Sequence, residues 1–210
     1  MQIEIFVLGD FATNCYLVRK NNSARDCFVI DPGLDSSPLI QKLEQSGLAP
    51  DAVFLTHGHI DHIAGVEAVR IQCPKVKVYI HAEDANMLTS AERNLSAFAG
   101  TMFQSRPADV IIDSQAHIEL AGISFELLHV PGHTPGGLCL YNSAEKLVFV
   151  GDALFAGSIG RTDFPDGDGE QLITGIKQKL MTLPGDTKVY PGHGPATTIQ
   201  NEARYNPFLS

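Results

Sequence analysis

The sequence is short of positive charge, of paired cysteines and of long apolar runs, and each shortage removes a class of function. Lys and Arg number 15 against 24 Asp and Glu, a formal net charge of −9 at pH 7. Proteins that grip a phosphate backbone carry a basic footprint, so no nucleic-acid partner is expected. No apolar run reaches the roughly 20 residues of a membrane-spanning helix. The chain opens directly into a strand-like segment at Gln2–Leu8, without the basic, apolar and cleavage-site regions of a secretory leader. A cytoplasmic protein with no membrane association is expected. Cys15, Cys27, Cys73 and Cys139 form no C-x-x-C spacing, and Cys15, Cys27 and Cys139 stand in apolar, strand-like contexts. They read as buried free thiols. No linker or low-complexity stretch divides the 210 residues, of which 44% are hydrophobic. One domain over 1–210 with a substantial core follows.

What is present alternates between strand and helix patterns. Strands are predicted at Ile3–Leu8, Cys15–Arg19, Cys27–Asp31 and Ala52–Thr56, with a helix over Pro38–Gln45 closed by Gly47. Further strands are predicted near Ala116–Leu120, Ile123–Val130, Leu138–Tyr141, Lys146–Val150 and Lys188–Tyr190, with a helix near Glu170–Leu183. The segment Thr89–Ala108 carries mixed signals and is predicted as a helix followed by a loop over the site. Alternation of this kind indicates α/β layers around sheet. The triplet Pro-Gly-His recurs at 131–133 and 191–193, which is too short to establish an internal duplication.

The richest chemistry lies in Thr56-His57-Gly58-His59-Ile60-Asp61-His62, directly after an apolar strand. Imidazole nitrogen and carboxylate oxygen suit zinc, iron or manganese, and Gly58 allows a tight loop to aim two rings at one point. A solvated polar loop is the alternative. More donors lie downstream, each at the end of an apolar strand: His133 after Pro131-Gly132, Asp152 after Gly151 and His193 after Pro191-Gly192. Catalytic groups usually converge on loops at one edge of a rigid sheet. His57, His59 and His133 are assigned to a first ion, Asp61, His62 and His193 to a second, and Asp152 to both. Asp61 and His62 open the apolar-periodic stretch Ile63, Val66, Val69, which predicts a helix starting there. Two ions about 3.5–4 Å apart can share a hydroxide and polarise a carbonyl together. His81 and His117 lack ligand neighbours and are predicted at surface or helix-cap positions. His129 is predicted to pack in its strand, with a hydrogen bond to a ligand as the other option.

The run from Thr56 to His62 resembles the T-H-x-H-x-D-H signature of the metallo-β-lactamase superfamily, whose later motifs match at His133, Asp152 and His193. The stretches Gly157-Ser158-Ile159-Gly160-Arg161-Thr162-Asp163-Phe164-Pro165 and Pro191-Gly192-His193-Gly194-Pro195, and the ending Asn206-Pro207-Phe208-Leu209, are similar to short bacterial hydrolases related to glyoxalase II. The resemblance runs from Asn14-Cys15-Tyr16-Leu17 to the last residues. It implies an α/β fold, the αβ/βα four-layer sandwich, and a dinuclear site for two divalent transition-metal ions, zinc first with iron or manganese as alternatives. It also implies hydrolysis of a small-molecule acyl thioester such as S-lactoylglutathione by a metal-bridging hydroxide, with Asp61 as the catalytic carboxylate that orients it. Asp31-Pro32-Gly33 resembles a family turn that either bonds to the site or only turns the chain.

Arg161 is assigned to substrate binding, because the matching loop of longer glyoxalase II enzymes carries a Lys that contacts glutathione. A stiffening pair with Asp163 is the structural alternative. Asp163 stands where those enzymes have an aromatic residue, Gly194-Pro195 replaces a segment with a substrate-contacting Tyr, and the chain stops at Ser210 without their further helical region. The thiol carrier and the oligomeric state are therefore left open. A mononuclear iron persulfide dioxygenase of the same superfamily is the rival enzyme, using two His and one Asp, although the segment 191–195 favours the hydrolase. A secreted β-lactamase is disfavoured by the missing leader and a nuclease by the acidic charge, while a lactonase is harder to exclude. A non-enzymatic metal-binding protein is the alternative from another class, with no need for so many donors around an open site.

Overall fold

The computed structural model describes residues 1–209. Six strands form the first sheet in sequential order: β1 (Gln2–Leu8), β2 (Thr13–Arg19), β3 (Cys27–Ile30), β4 (Ala52–Phe54), β5 (Lys77–His81) and β6 (Val110–Ile112). β1 to β3 pair antiparallel and β3 to β6 parallel. The second half supplies β7 (His117–Leu120), β8 (Ile123–His129), β9 (Leu138–Asn142), β10 (Leu147–Gly151), the small hairpin β11 (Leu154–Phe155) and β12 (Ser158–Ile159), then β13 (Lys188–Pro191) and β14 (Thr197–Thr198). Its six-stranded sheet has the order β14-β13-β10-β9-β8-β7, with β10 and β13 parallel.

Strand residues alternate between two apolar layers, because successive side chains point to opposite faces. From β2 and β3, Tyr16, Val18, Phe28 and Ile30 face the second sheet, where they meet Phe125, Leu140 and Phe149. Cys15, Leu17, Cys27 and Val29 face outward onto α1 (Ser37–Ser46), α2 (Ile60–Ile63) and α3 (Val66–Gln72). The second sheet repeats this: Cys139, Val148 and Val189 pack against α4 (Gly169–Gly175), the π-helical turn Ile176–Leu180 and α5 (Ile199–Tyr205). Three apolar layers thus separate helices, sheet, sheet and helices, the four-layer αβ/βα order expected from the resemblance. All four cysteines are buried and free. No helix among the described residues is long and apolar enough to cross a membrane.

Helix α1 buries Leu39 and Leu43 and ends at Gly47, whose φ of 63° is the left-handed conformation that a helix C-terminal glycine adopts at little cost. The helix predicted from Asp61 through Val69 is instead broken into α2 and α3. Gly65 causes the break by close approach: its N–H donates to Pro32 O at 2.7 Å, and a Cβ there would lie 2.7 Å from Ser36 Cβ. The helix predicted over 170–183 is α4 followed by the π turn, with Leu172, Ile176 and Leu180 still on one buried face.

No regular helix forms over 90–108, contrary to the expectation there. A 3₁₀ helix runs over Ala82–Thr89, and the chain then turns around two buried polar side chains. Asn94 Nδ2 donates to Met87 O (2.9 Å) and Phe103 O (3.1 Å), and Ser96 Oγ accepts from Phe103 N (3.1 Å). Such side chains offer the backbone partners that compete with a helix ladder. The expected loop over the site is present, since Leu95 and Phe98 line the cavity described below.

Candidate metal centre

The donors stand at strand ends on one rim of the sandwich. The loop after β4 carries His57 and His59, and α2 follows at once with Asp61 and His62. The loop after β8 carries His133, the turn after β10 carries Asp152, and His193 lies two residues beyond β13. Backbone and side-chain bonds stitch the two sheets at this rim. Leu138 N donates to Thr56 O (2.8 Å), Asn14 N to Gly192 O (2.7 Å) and Tyr16 OH to Pro191 O (2.6 Å).

Three groups of donors form, each with ligand atoms within 4.8 Å of one another: His57, His59 and His133; Asp61, His62 and His193; and His57, His62 and Asp152. His59 Nδ1 lies 3.0 Å from His133 Nε2, His62 Nε2 3.3 Å from His193 Nε2, and His193 Nε2 3.1 Å from Asp61 Oδ2. Asp152 stands between the first two groups. Its Oδ1 is 3.4 Å from His62 Nε2, and its Oδ2 is 3.5 Å from both His133 Nε2 and His193 Nε2. The structure therefore brings together every residue assigned to the two ions from sequence.

The arrangement fits a pair of divalent cations. His57 Nε2 and Asp152 Oδ1 are buried and make no hydrogen bond, a condition that costs about 1–3 kcal/mol per group unless something else partners them. Burial and the neighbouring His62 and His59 rings push His57 well below the usual imidazole range, and burial with the His133 ring pushes His59 down to about 3. Both rings are neutral lone-pair donors. Burial opposes charge at the other group too, but there the carboxylates prevail: Asp61, Asp152 and Asp31 hold His62 well above its ordinary value, and Asp152 and Asp61 hold His193 up at about 10. Against the same burial, the cationic rings hold Asp61 and Asp152 well below the usual carboxylate range. Concentrated carboxylate charge draws protons onto those rings, as it would draw a metal cation.

The model of the metallo-beta-lactamase superfamily matches residues 8–193. The chain belongs to this superfamily. It is 37% identical to "Probable metallo-hydrolase YqgX" of Bacillus subtilis, covering 97% of this chain and 95% of that protein. It is also 37% identical to "Hydroxyacylglutathione hydrolase GloC" of Haemophilus influenzae, covering 100% and 99%. Among solved structures, the BLEG-1 B3 metallo-beta-lactamase superposes with a TM-score of 0.94 at 36% identity over 100% of both chains. TTHA1623 in a di-iron-bound form gives 0.84 at 37% identity, covering 98% of this chain and 100% of that one. The chain is thus a member of a superfamily of metallo-hydrolases, with a dinuclear divalent site matched by its His/Asp cluster.

Within this superfamily member, buried partners fix which ring nitrogen faces the site. Asp31, in a left-handed backbone conformation (φ 49°), accepts from Thr56 N (2.8 Å), Thr56 Oγ1 (2.6 Å) and His62 Nδ1 (2.9 Å). Because the Thr56 hydroxyl proton goes to Asp31, its oxygen is left to accept from His57 Nδ1 (3.1 Å), which leaves His57 Nε2 bare. His133 Nδ1 bonds Arg161 O (2.7 Å) and His193 Nδ1 bonds Phe11 O (2.9 Å). Asp31 therefore bonds to the site as well as turning the chain. His81 caps the 3₁₀ helix and stacks on His129 with ring centroids 4.1 Å apart; His129 Nε2 bonds Pro135 O, and neither joins the donors. His117 is exposed on β7.

Sequence reasoning missed Asp84, which is buried in the 3₁₀ helix. Its carboxylate accepts from Gly58 N (3.1 Å), Thr134 Oγ1 (2.8 Å) and Gly136 N (2.7 Å), joining the loop of His57 and His59 to that of His133. An acid in the polar run Ala82-Glu83-Asp84 carried no local signal of this. Asp84→Ala is expected to weaken binding at the His57/His59/His133 group by about 10–100-fold, the usual cost of losing an outer partner, while the other group keeps its ion. A two-step metal titration of the variant measures both.

A cavity of about 640 Å³ opens above the donors. Phe164 sets its edge against His59 with centroids 5.4 Å apart, and Phe155 stands 6.1 Å from His193. Arg161 reaches the same cavity. Its Nε and Nη2 each lie 2.7 Å from an oxygen of Asp163, and its guanidinium covers Phe164 at 4.2 Å. The pairing alternative for Arg161 is therefore realised at two of its nitrogens, Nε and Nη2.

Proposed function

We propose that this metallo-hydrolase cleaves acyl thioesters, with S-lactoylglutathione as the first substrate to test. The observation that carries the reading is the set of titratable groups lining the cavity: His59, Asp61, His133, Asp152 and His193 all belong to the donor clusters, and Arg161 is held by Asp163. Among the described residues, no acid outside the donor clusters lines the cavity to protonate a departing group. A thiolate, whose parent thiol has a pKa of about 8.5, departs without a proton, whereas an amide nitrogen needs one. The identity to a protein named hydroxyacylglutathione hydrolase supports the same choice.

In this reading His57, His59 and His133 would hold one ion and Asp61, His62 and His193 the other, with Asp152 offering an oxygen to each. Bound there, the ions would supply a water acidified to hydroxide near neutral pH and Lewis-acid polarisation of the carbonyl. Asp61 accepts from Thr13 Oγ1 at 3.3 Å, which fixes its carboxylate at the edge of the cavity to orient the attacking water. Asp31 and Thr56 keep the His57 and His62 lone pairs aimed inward. Phe155 and Phe164 set apolar rings against His193 and His59, which lowers the local polarity and strengthens charge interactions at the donors.

The test is thiol release from acyl thioesters by metal-quantified protein, run beside a cephalosporin and beside oxygen uptake with glutathione persulfide. Thioester turnover with close to two ions per chain, abolished by a chelator, is expected. Faster cephalosporin turnover would move the substrate to β-lactams; one iron per chain with oxygen uptake and no hydrolysis would make the protein a dioxygenase.

Arg161 is proposed to bind a carbonyl or carboxylate of the thiol carrier through Nη1. Arg161→Met should then raise KM severalfold for a carboxylate-bearing thioester, with little change for a neutral one and unchanged metal content, as loss of uniform binding does. An equal loss of kcat for both substrates would reduce Arg161 to a brace for Asp163.

A further inference from the structure

A second cavity of about 290 Å³ lies beside the main one and shares with it the side chains of His59, Leu95, Phe98, His133 and Phe164. Beyond these shared walls it is bounded by Met87 and Pro165, with Thr134, whose hydroxyl is committed to Asp84. The charged groups at this lobe, Glu92, Arg93 and Asp166, are exposed; Arg93 and Asp166 neutralise each other at 3.3 Å across it, and Glu92 accepts from Ser90 Oγ at 2.9 Å. The walls nearest the donors are thus apolar and aromatic.

Leu95 stands at the junction of the two cavities in an unusual state. Its φ is 68°, in the left-handed region that a non-glycine residue occupies at a cost of about 1–2 kcal/mol. The neighbours hold it there. Asn94 and Ser96 are fully buried, Asn94 O accepts from Ile60 N at 2.9 Å, and Ser96 is tied to Phe103. Glycine would relieve the strain, yet an isobutyl side chain is placed between the lobes. Backbone strain kept at a cavity wall is an observation from which a functional role is drawn.

We infer that the side lobe is an acyl-tail pocket and that Leu95 is its specificity-determining residue, so the site also takes thioesters of extended apolar acyl groups. The inference rests on the thioesterase reading. A carbonyl over the donors sends its acyl chain past His59 and Leu95 into the side lobe, and its sulfur and carrier into the wider main cavity, where Arg161 lies. An extended acyl chain would fill the apolar walls that a small hydroxyacyl group does not reach.

The experiment uses metal-loaded protein and straight-chain acyl thioesters of N-acetylcysteamine from acetyl to octanoyl. Each methylene buried in the lobe should raise kcat/KM by about two- to fourfold, fourfold being the full burial of a CH₂. Leu95→Gly, which removes the wall and relieves the backbone, should lower the octanoyl-to-acetyl ratio at least tenfold without lowering Tm. Phe98→Ala, at a residue 77% exposed and outside the core, should lower the same ratio. Calorimetric binding of straight-chain alkanoates measures the lobe without turnover. If no thioester is hydrolysed but alkanoate affinity climbs with length and falls in Leu95→Gly, the lobe stands and the thioester reading fails. If thioesters are hydrolysed with a flat chain-length profile, or Leu95→Gly depresses every chain length equally, the lobe assignment is overturned. Alkanoate binding that ignores chain length overturns it as well.

Discussion

Asp152→Ala should strip both ions from the protein, whereas His193→Ala should leave the first in place. Asp152 is the carboxylate that approaches both groups, through Oδ1 to His62 and through Oδ2 to His133 and His193. Its loss also leaves the buried, unpartnered His57 Nε2 with one potential co-ligand fewer, beside rings that repel one another's protonation. His193 approaches only Asp61, His62 and Asp152 among the donors, so its replacement leaves His57, His59 and His133 untouched. Removing a ligand exceeds the loss of an outer partner, which itself costs 10–100-fold. Activity in Asp152→Ala should therefore fall by more than about 100-fold and further than in His193→Ala. Elemental analysis of both variants decides the point: equal metal retention, or greater loss in His193→Ala, would break the division in which Asp152 serves both ions.

The second large effect should come from a single methyl group. A Cβ on Gly192 would overlap Asp152 Oδ1 and lie 2.8 Å from His62 Cε1. The backbone has no room to withdraw, because Gly192 N donates to Gly151 O and Gly192 O accepts from Asn14 N, both at 2.7 Å. Something must move, and the side chains in the way are two of the donors. Gly192→Ala should lose metal about as completely as Asp152→Ala and lose stability by the 1–3 kcal/mol typical of overpacking. Gly194→Ala is the control: that residue has a left-handed φ of 74° but open space around its Cβ position, so strain is added without intrusion on the donors. A Gly192→Ala protein with wild-type metal content would show that the rim yields more easily than its hydrogen bonds imply.

How much of this could be read from the chain depended on how local the cause was. The strands that end at Phe54, Gly151 and Pro191 were legible because both of their faces are buried, which leaves short apolar runs bounded by turns. Helix α1 was legible because Leu39, Leu43 and Gly47 lie within a few turns of one another. The ligands were legible because four of them crowd into six positions and the rest follow strand ends. Asp84 was not, since the groups it joins, at 58, 134 and 136, lie far from it in sequence and leave no periodicity. The same holds for the turn at 90–108, where Asn94 and Ser96 look like ordinary surface polar residues until their bonds to Met87 and Phe103 are seen. The break at Gly65 needed Ser36 and Pro32 to be in place first.

Both sheets contribute to the centre, the first half with His57, His59, Asp61 and His62 and the second with His133, Asp152 and His193. Neither half alone can complete either set of three. An ion bound here would act as a rivet between leaves that otherwise adhere through Tyr16, Phe28, Phe125 and Phe149, and a ligand at 100 times its Kd adds about 2.7 kcal/mol to the assembled state. Each set of three would be complete only once the leaves have closed, and a chelator is expected to loosen the seam between them before it melts either one.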